Sequence, residues 1–311
     1  MSILELEENI RKYYGFLTLL CVLLGFLLPQ FSFLSQYVPF LLAILVFSMV
    51  VEHEISDFAL IIKHPKTVIA LITSNFILYP LIGFLFLHLL LSSQSGLING
   101  IILLCFAPSP VIAALWTEMS GGDGTISIST ALFSMILSIG VYPFILFYLG
   151  IVSPAVSIEI FKLLALSVFV PVIIALFIKT EKNLFNPSKR EFKLVSAITG
   201  LLIIVIAISK MASQFFSNEF ITIILISSFV TVLLLAGLFY GYSLSRLLKV
   251  KNEYKKAFLY TSSMRDGIIP LTVALSYFTY SSTIPSTVLL IIMPFIVAIV
   301  YQILKKMSID S

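Results

Sequence analysis

Charge is what this sequence has least of. Of 311 residues only 11% are charged, while 59% are hydrophobic. A soluble domain carries roughly 25% charged residues, so the composition excludes an ordinary water-soluble globule and points to lipid. The small excess of base, +4 at neutral pH, is too weak to argue for a nucleic-acid partner. Cysteine is nearly absent. Cys21 and Cys105 both fall in apolar stretches, at no metal-ligand spacing, and two such residues make no disulfide framework. The three histidines, His53, His64 and His88, also lack metal spacing and lie near the ends of apolar runs. No glycine-rich phosphate loop, no nucleophile–base pair and no extramembrane domain is legible. The expectation is therefore no enzyme, no cofactor and no bound metal. The acidic start "MSILELEENI" lacks the basic opening and small-residue cleavage site of a secretory signal, so the first apolar run is expected to be retained.

What the chain does have is long apolar runs. A helix needs ~20 mostly apolar residues to cross the hydrocarbon core. Ten runs qualify, at about 13–29, 37–51, 67–91, 96–119, 125–149, 157–178, 192–209, 219–245, 254–278 and 283–304. They are continuous rather than alternating, which argues against a barrel. With ten spans, all but three of the 19 lysines and arginines fall on one side of the membrane. Lys162 and Lys210 lie opposite, and Arg265 lies inside a span. Basic loops mark the cytoplasmic side. The expectation is an all-α, multi-pass protein of the cell membrane, with the bilayer as its partner and both termini cytoplasmic.

Five spans precede "GIVSPAVSIE" (150–159) and five follow, giving halves 1–156 and 157–311. An odd number per half forces opposite orientations, the inverted repeat of many secondary transporters. The fourth span of each half is interrupted, by "CFAPSPVIAALW" (105–116) in the first and "SSMRDGIIPL" (262–271) in the second. The fifth spans carry Pro143 and Pro294. Proline removes a backbone donor and clashes with the preceding turn. In lipid, freed backbone groups must line a protein cavity or meet a ligand. Two interruptions at matching places predict a site at their crossing, built from half-helix ends. Pro80, Pro143, Pro171 and Pro294 stand singly and read as kinks.

Arg265 and Asp266 sit inside the second interruption. A lone arginine at mid-membrane costs at least ~2.5 kcal/mol, so it should face the bundle interior. Two roles are open and can coexist. Arg265 and Asp266 can form a buried pair that fixes the crossing. Alternatively, Arg265 supplies fixed positive charge to an anionic solute, or stands where a coupling cation would otherwise bind. The expected solute-lining residues are Ser109, Thr261, Ser262, Arg265 and Asp266. Asn75, Glu118, Ser127 and Thr130 are candidates for ion binding or for fixing the helix crossing. Small hydroxyl residues also serve simply to pack helices closely, and Asp123 reads as a solvated cap.

"DFALIIKHPKTVIALITSNFILYP" (57–80) resembles the bile acid:sodium symporters, with His-Pro-Lys, then an amide residue, then Pro. "APSPVIAALWTEMSGGD" (107–123) is similar to the arsenite permeases of the same superfamily. The resemblance, over about residues 13–305, implies ten helices in a core domain (spans 3–5 and 8–10) and a panel domain (spans 1–2 and 6–7). Alternating access would come from rocking one against the other. It implies a secondary transporter of a small solute, expected to be an organic anion, with metalloid efflux as the alternative. Departures matter here. Ser109 stands where the arsenite permeases have a cysteine. Ala113 and Ala114 match the sodium-holding Ser-Asn pair of the symporters. Thr261 and Arg265 match their glutamate and glutamine. Of the sodium cage, Asn75 and Ser127 keep polar groups. The coupling ion is left open between proton, sodium and neither, and Arg265 is expected to do permanently what a bound sodium does transiently.

Overall fold

The computed structural model of the chain describes residues 14–53, 65–89, 95–180, 189–215 and 220–309. The acidic opening, Lys63, His64 and most of the basic loop at 179–193 lie outside the described residues. Among the described residues every regular element is helical. In chain order these are α1 (Tyr14–Leu27), α2 (Val38–Glu52), α3 (Pro65–Thr73), α4 (Tyr79–Leu89), α5 (Ser95–Cys105), α6 (Ile112–Met119) and α7 (Thr125–Tyr148). They continue with α8 (Pro154–Leu164), α9 (Val170–Thr180), α10 (Lys189–Phe215), α11 (Phe220–Leu247), α12 (Asn252–Ser263), α13 (Ile268–Tyr277) and α14 (Ile284–Ile309).

Seven continuous helical stretches are long and apolar enough to cross a membrane. Four are composites. In one, a 3₁₀ turn, Tyr280–Thr283, leads into α14. A 3₁₀ segment, Pro29–Tyr37, runs into α2. The π-turns Ser74–Leu78 and Ala165–Phe169 join α3 to α4 and α8 to α9. The remaining helices are shorter: the apolar α1 and α5, with α6, α12 and α13 completing the two interrupted pairs α5–α6 and α12–α13.

The prolines sort by how the helix accommodates them. α7 runs through Pro143 and α14 through Pro294. Pro80 and Pro171 each follow a π-turn, two residues after it ends. A proline in a helix frees the carbonyl four residues back and crowds it. Widening the preceding turn by one residue relieves that crowding, and π-turns of this kind recur at functional sites.

Packing follows from the side chains. α10 lies along α1 and α2, while α11 lies along α12 and α14. The outer face carries exposed large apolar residues such as Phe40, Leu81, Leu235 and Phe239, as a lipid-facing surface requires. The interior holds two large apolar clusters. One gathers Leu42, Met135, Ile203 and their neighbours, and the other Leu104, Phe229, Leu233 and theirs.

One contact sets the position of α12. Gly237 and Gly241 of α11, four residues apart, lie against its backbone. A Cβ at Gly237 would collide with the Tyr79 hydroxyl and the Ser262 carbonyl, and one at Gly241 would meet the Phe258 carbonyl. Small residues at this spacing let membrane helices approach closely, where dispersion forces hold them. Gly237→Val should therefore force α11 and α12 apart. Overpacking of this kind costs about 1–3 kcal/mol, and a lowered melting temperature of the purified protein in detergent is the expected result. An unchanged melting temperature would mean the helices are not held by this contact.

Candidate functional site

Both interruptions are set locally by sequence. After Cys105 the chain leaves the helix at "FAPSP", where Pro108 and Pro110 supply no N–H groups, and re-enters one at Ile112. After Ser263 it extends at Met264 (φ −80°, ψ 144°), and α13 starts at Ile268. Pro270 falls in the first turn of α13, where a missing donor does no harm.

The two interruptions touch. The Asp266 amide donates to the Pro108 carbonyl at 2.8 Å. The Ser109 hydroxyl donates to the Thr261 carbonyl at 2.9 Å, and the Ser109 amide donates to Ser134 Oγ at 3.1 Å. Backbone groups stranded by one break are thus satisfied by the other. This matters where no water competes, because an unmet donor or acceptor there costs several kcal/mol.

Arg265 lies at the centre, 1% exposed. Its Nη1 donates to Asn75 Oδ1. Its Nη2 donates to the Ser262 carbonyl at 3.1 Å and to Ser74 Oγ at 3.3 Å. The guanidinium carbon stands 3.5 Å from the centre of the Tyr79 ring, a cation–π contact. Tyr79 also donates its hydroxyl toward the Ser262 and Ser263 carbonyls, at 2.8 and 3.0 Å. These carbonyls end α12 and carry its negative partial charge. The arginine is therefore held by dipoles and a ring face. Among the described residues it forms no ion pair with a carboxylate.

Asp266 does not turn toward Arg265. Its Oδ1 accepts from the Ile268 amide at 2.8 Å and the Ile269 amide at 3.0 Å, capping α13. Each charge thus sits at the end of the half-helix whose dipole favours it: the cation at the C-terminus of α12, the anion at the N-terminus of α13. A direct pair would have left the Ile268 and Ile269 amides at the start of α13 without this acceptor.

The hydrogen-bond directions are mutually consistent. Because Asn75 Oδ1 accepts from the arginine, its Nδ2 donates to Ser109 Oγ at 3.0 Å. Thr261 Oγ1 donates to Ser127 Oγ at 2.8 Å. Ser127 lies 3.2 Å from Thr117 Oγ1, which donates to the Ala113 carbonyl at 2.8 Å. Asn75, Ser109, Thr261, Arg265 and Ser127 thus form one buried network. Ser262 joins through its carbonyl, while its hydroxyl is buried without a partner. The Thr130 hydroxyl turns back to its own helix at Ile126, and Glu118 is exposed at the end of α6. Asp123 caps α7 through Thr125.

Ser74, Tyr79 and Thr117 join the network without having been singled out in the sequence. Ser74 and Tyr79 are five residues apart, about 140° around a regular helix. Only the π-turn brings both to Arg265. Thr117 was legible in principle, one helical turn from Ala113 on the buried face of α6.

Asn75 is the acceptor that the arginine cannot replace. Asn75→Leu should destabilise the protein by about 1.5–3 kcal/mol, the value of a hydrogen bond to a charged group. Asn75→Asp, which keeps an acceptor, should lose clearly less. Detergent melting curves compare the two, and equal losses would assign Asn75 a packing role only.

Comparison with known proteins identifies the family. Residues 39–243 match the family described as Sodium Bile acid symporter family. An uncharacterized sodium-dependent transporter of Bacillus subtilis (strain 168), YocS, is 24% identical over 285 residues, covering 88% of this chain and 85% of that one. A second protein of the same organism, the uncharacterized YbaS, is 24% identical over 277 residues, covering 86% of this chain and 89% of its own. A lipid-facing helical bundle, two interruptions that meet at a buried polar network and a family match across most of its spans lead to one conclusion: the chain is a multi-pass membrane protein of the Sodium Bile acid symporter family, a family of transporters.

Proposed function

We propose that the chain is a secondary active transporter that moves a small organic anion by alternating access, with its site at the crossing of the two interrupted helices. The observation that carries this is the junction itself. In an otherwise apolar interior, Asp266 to Pro108 and Ser109 to Thr261 tie two broken helices around buried polar groups. Counting α1 and the pairs α5–α6 and α12–α13 as spans, beside the seven continuous ones, gives ten. Two inverted repeats, 1–156 and 157–311, account for that number. Spans 3–5 and 8–10 make the core, and spans 1–2 and 6–7 make the panel against which the core rocks. The basic loops support a reading with both termini in the cytoplasm and the chain in the cell membrane.

Two things favour an anion. The family is described by bile acids, which are amphipathic organic anions. Among the described residues Arg265 is also the buried cation, and its Nε and the Ser262 hydroxyl have no hydrogen-bond partner there. A small opening of the crossing would present both donors to a carboxylate. For metalloid efflux the geometry offers little: Ser109 is a hydroxyl, and Cys105 packs against Gly83. Soft thiolates are what would select such a cargo.

Uptake into proteoliposomes is the test, with a bile acid, a small keto acid, a neutral sugar and an organic cation as candidate solutes. Saturable uptake of at least one anion is expected, falling about tenfold in Ser109→Val, the loss of roughly 1.4 kcal/mol of binding. Uptake of the neutral or cationic solute alone would overturn the anion assignment.

A further inference from the structure

We infer that the Arg265 guanidinium is itself the cation of this site, a tethered occupant of the position where a coupling ion would sit, so that the chain binds no sodium there. This rests on the transporter reading and specifies the coupling of that same site.

The position is defined by backbone physics. In broken-helix transporters the C-terminal ends of half-helices and unwound carbonyls are where coupling cations are held. The end of α12 is such a place. Its last carbonyls, Ser262 and Ser263, have no helical donors because the chain departs at Met264. A hard cation such as sodium seeks oxygen ligands. Here the oxygens that converge on this point are the Ser262 carbonyl, Asn75 Oδ1 and Ser74 Oγ. All three already receive the guanidinium's N–H groups. The Tyr79 ring closes one face, and the Tyr79 hydroxyl takes the second lone pair of Ser262 and reaches Ser263. The carboxylate that would add charge to a sodium cage, Asp266, is turned to the amides of Ile268 and Ile269.

The neighbouring hydroxyl chain offers no second cage. Thr261 donates to Ser127 and Thr117 to the Ala113 carbonyl, so the oxygens are engaged in sequence and none is charged. Residues facing this junction therefore do not fit a free sodium ion, although the Bacillus relative YocS is described as a sodium-dependent transporter. They fit an ammonium-like or guanidinium cation fixed to the chain. Such a cation cannot leave with the solute, so the transport cycle keeps one charge that a symporter would release.

The test reads sodium directly and needs no knowledge of the solute. Purified wild-type protein is assayed for saturable ²²Na⁺ binding, and for melting temperature in sodium, potassium and choline chloride. The expected result is no saturable binding and the same melting temperature in all three salts. Arg265→Gln should acquire saturable ²²Na⁺ binding and a melting temperature raised selectively by sodium. Arg265→Lys, which keeps a tethered charge, should stay indifferent. Saturable sodium binding by the wild type overturns the inference. So does a monodisperse Arg265→Gln protein that ignores sodium. Should Arg265→Gln fail to fold, the wild-type measurement decides alone. Sodium binding together with intact anion uptake would sink this inference and leave the transport reading standing. No uptake of any anion, with sodium indifference preserved, would do the reverse.

Discussion

A buried guanidinium that closes the end of a half-helix organises this molecule. α12 stops in the protein interior with carbonyls that its own helix leaves unpaired, and an unmet carbonyl away from water is costly. Arg265 and the Tyr79 hydroxyl meet those carbonyls together. Burying the arginine would itself be prohibitive without partners. Each cost cancels much of the other, and neither group would be tolerated there alone. Around that pair the rest follows. Asn75 and Ser74 are needed as acceptors, the π-turn is needed to aim them, and Gly237 is needed so that α11 leaves room for the Tyr79 hydroxyl.

The same logic explains Asp266. A sequence neighbour of opposite sign invites a salt bridge, yet the carboxylate caps α13. Breaking a helix creates two ends of opposite polarity, and a cation followed by an anion at the break matches both. The order matters, since an Asp-Arg sequence would place each charge at the wrong end.

Much of this was legible in the chain. Pro108 and Pro110, and Gly267 with Pro270, announced where the helices fail. Low charge made Arg265 conspicuous, and Asn75 stood out as an amide in a greasy run. What was hidden depended on three-dimensional facts. The π-turn changes which residues share a face, so Ser74 and Tyr79 could not be paired from a regular helical wheel. Asp266 could be placed only once its partner dipole was located. The glycine pair in "GLFYG" (237–241) was a readable packing signal, but its partner, the α12 backbone, was not. Thr130 and Ser127 look alike in sequence, three residues apart on one helix, and only Ser127 faces α12.

The joint between the two interruptions uses a main-chain amide at 266 and a main-chain carbonyl at 108. Every residue owns a carbonyl, and every residue but proline owns an amide. That one bond is therefore indifferent to side-chain identity, unlike the Ser109–Thr261 and Arg265–Asn75 bonds beside it. Any substitution at 108, and any but proline at 266, leaves the donor and the acceptor of this tie in place.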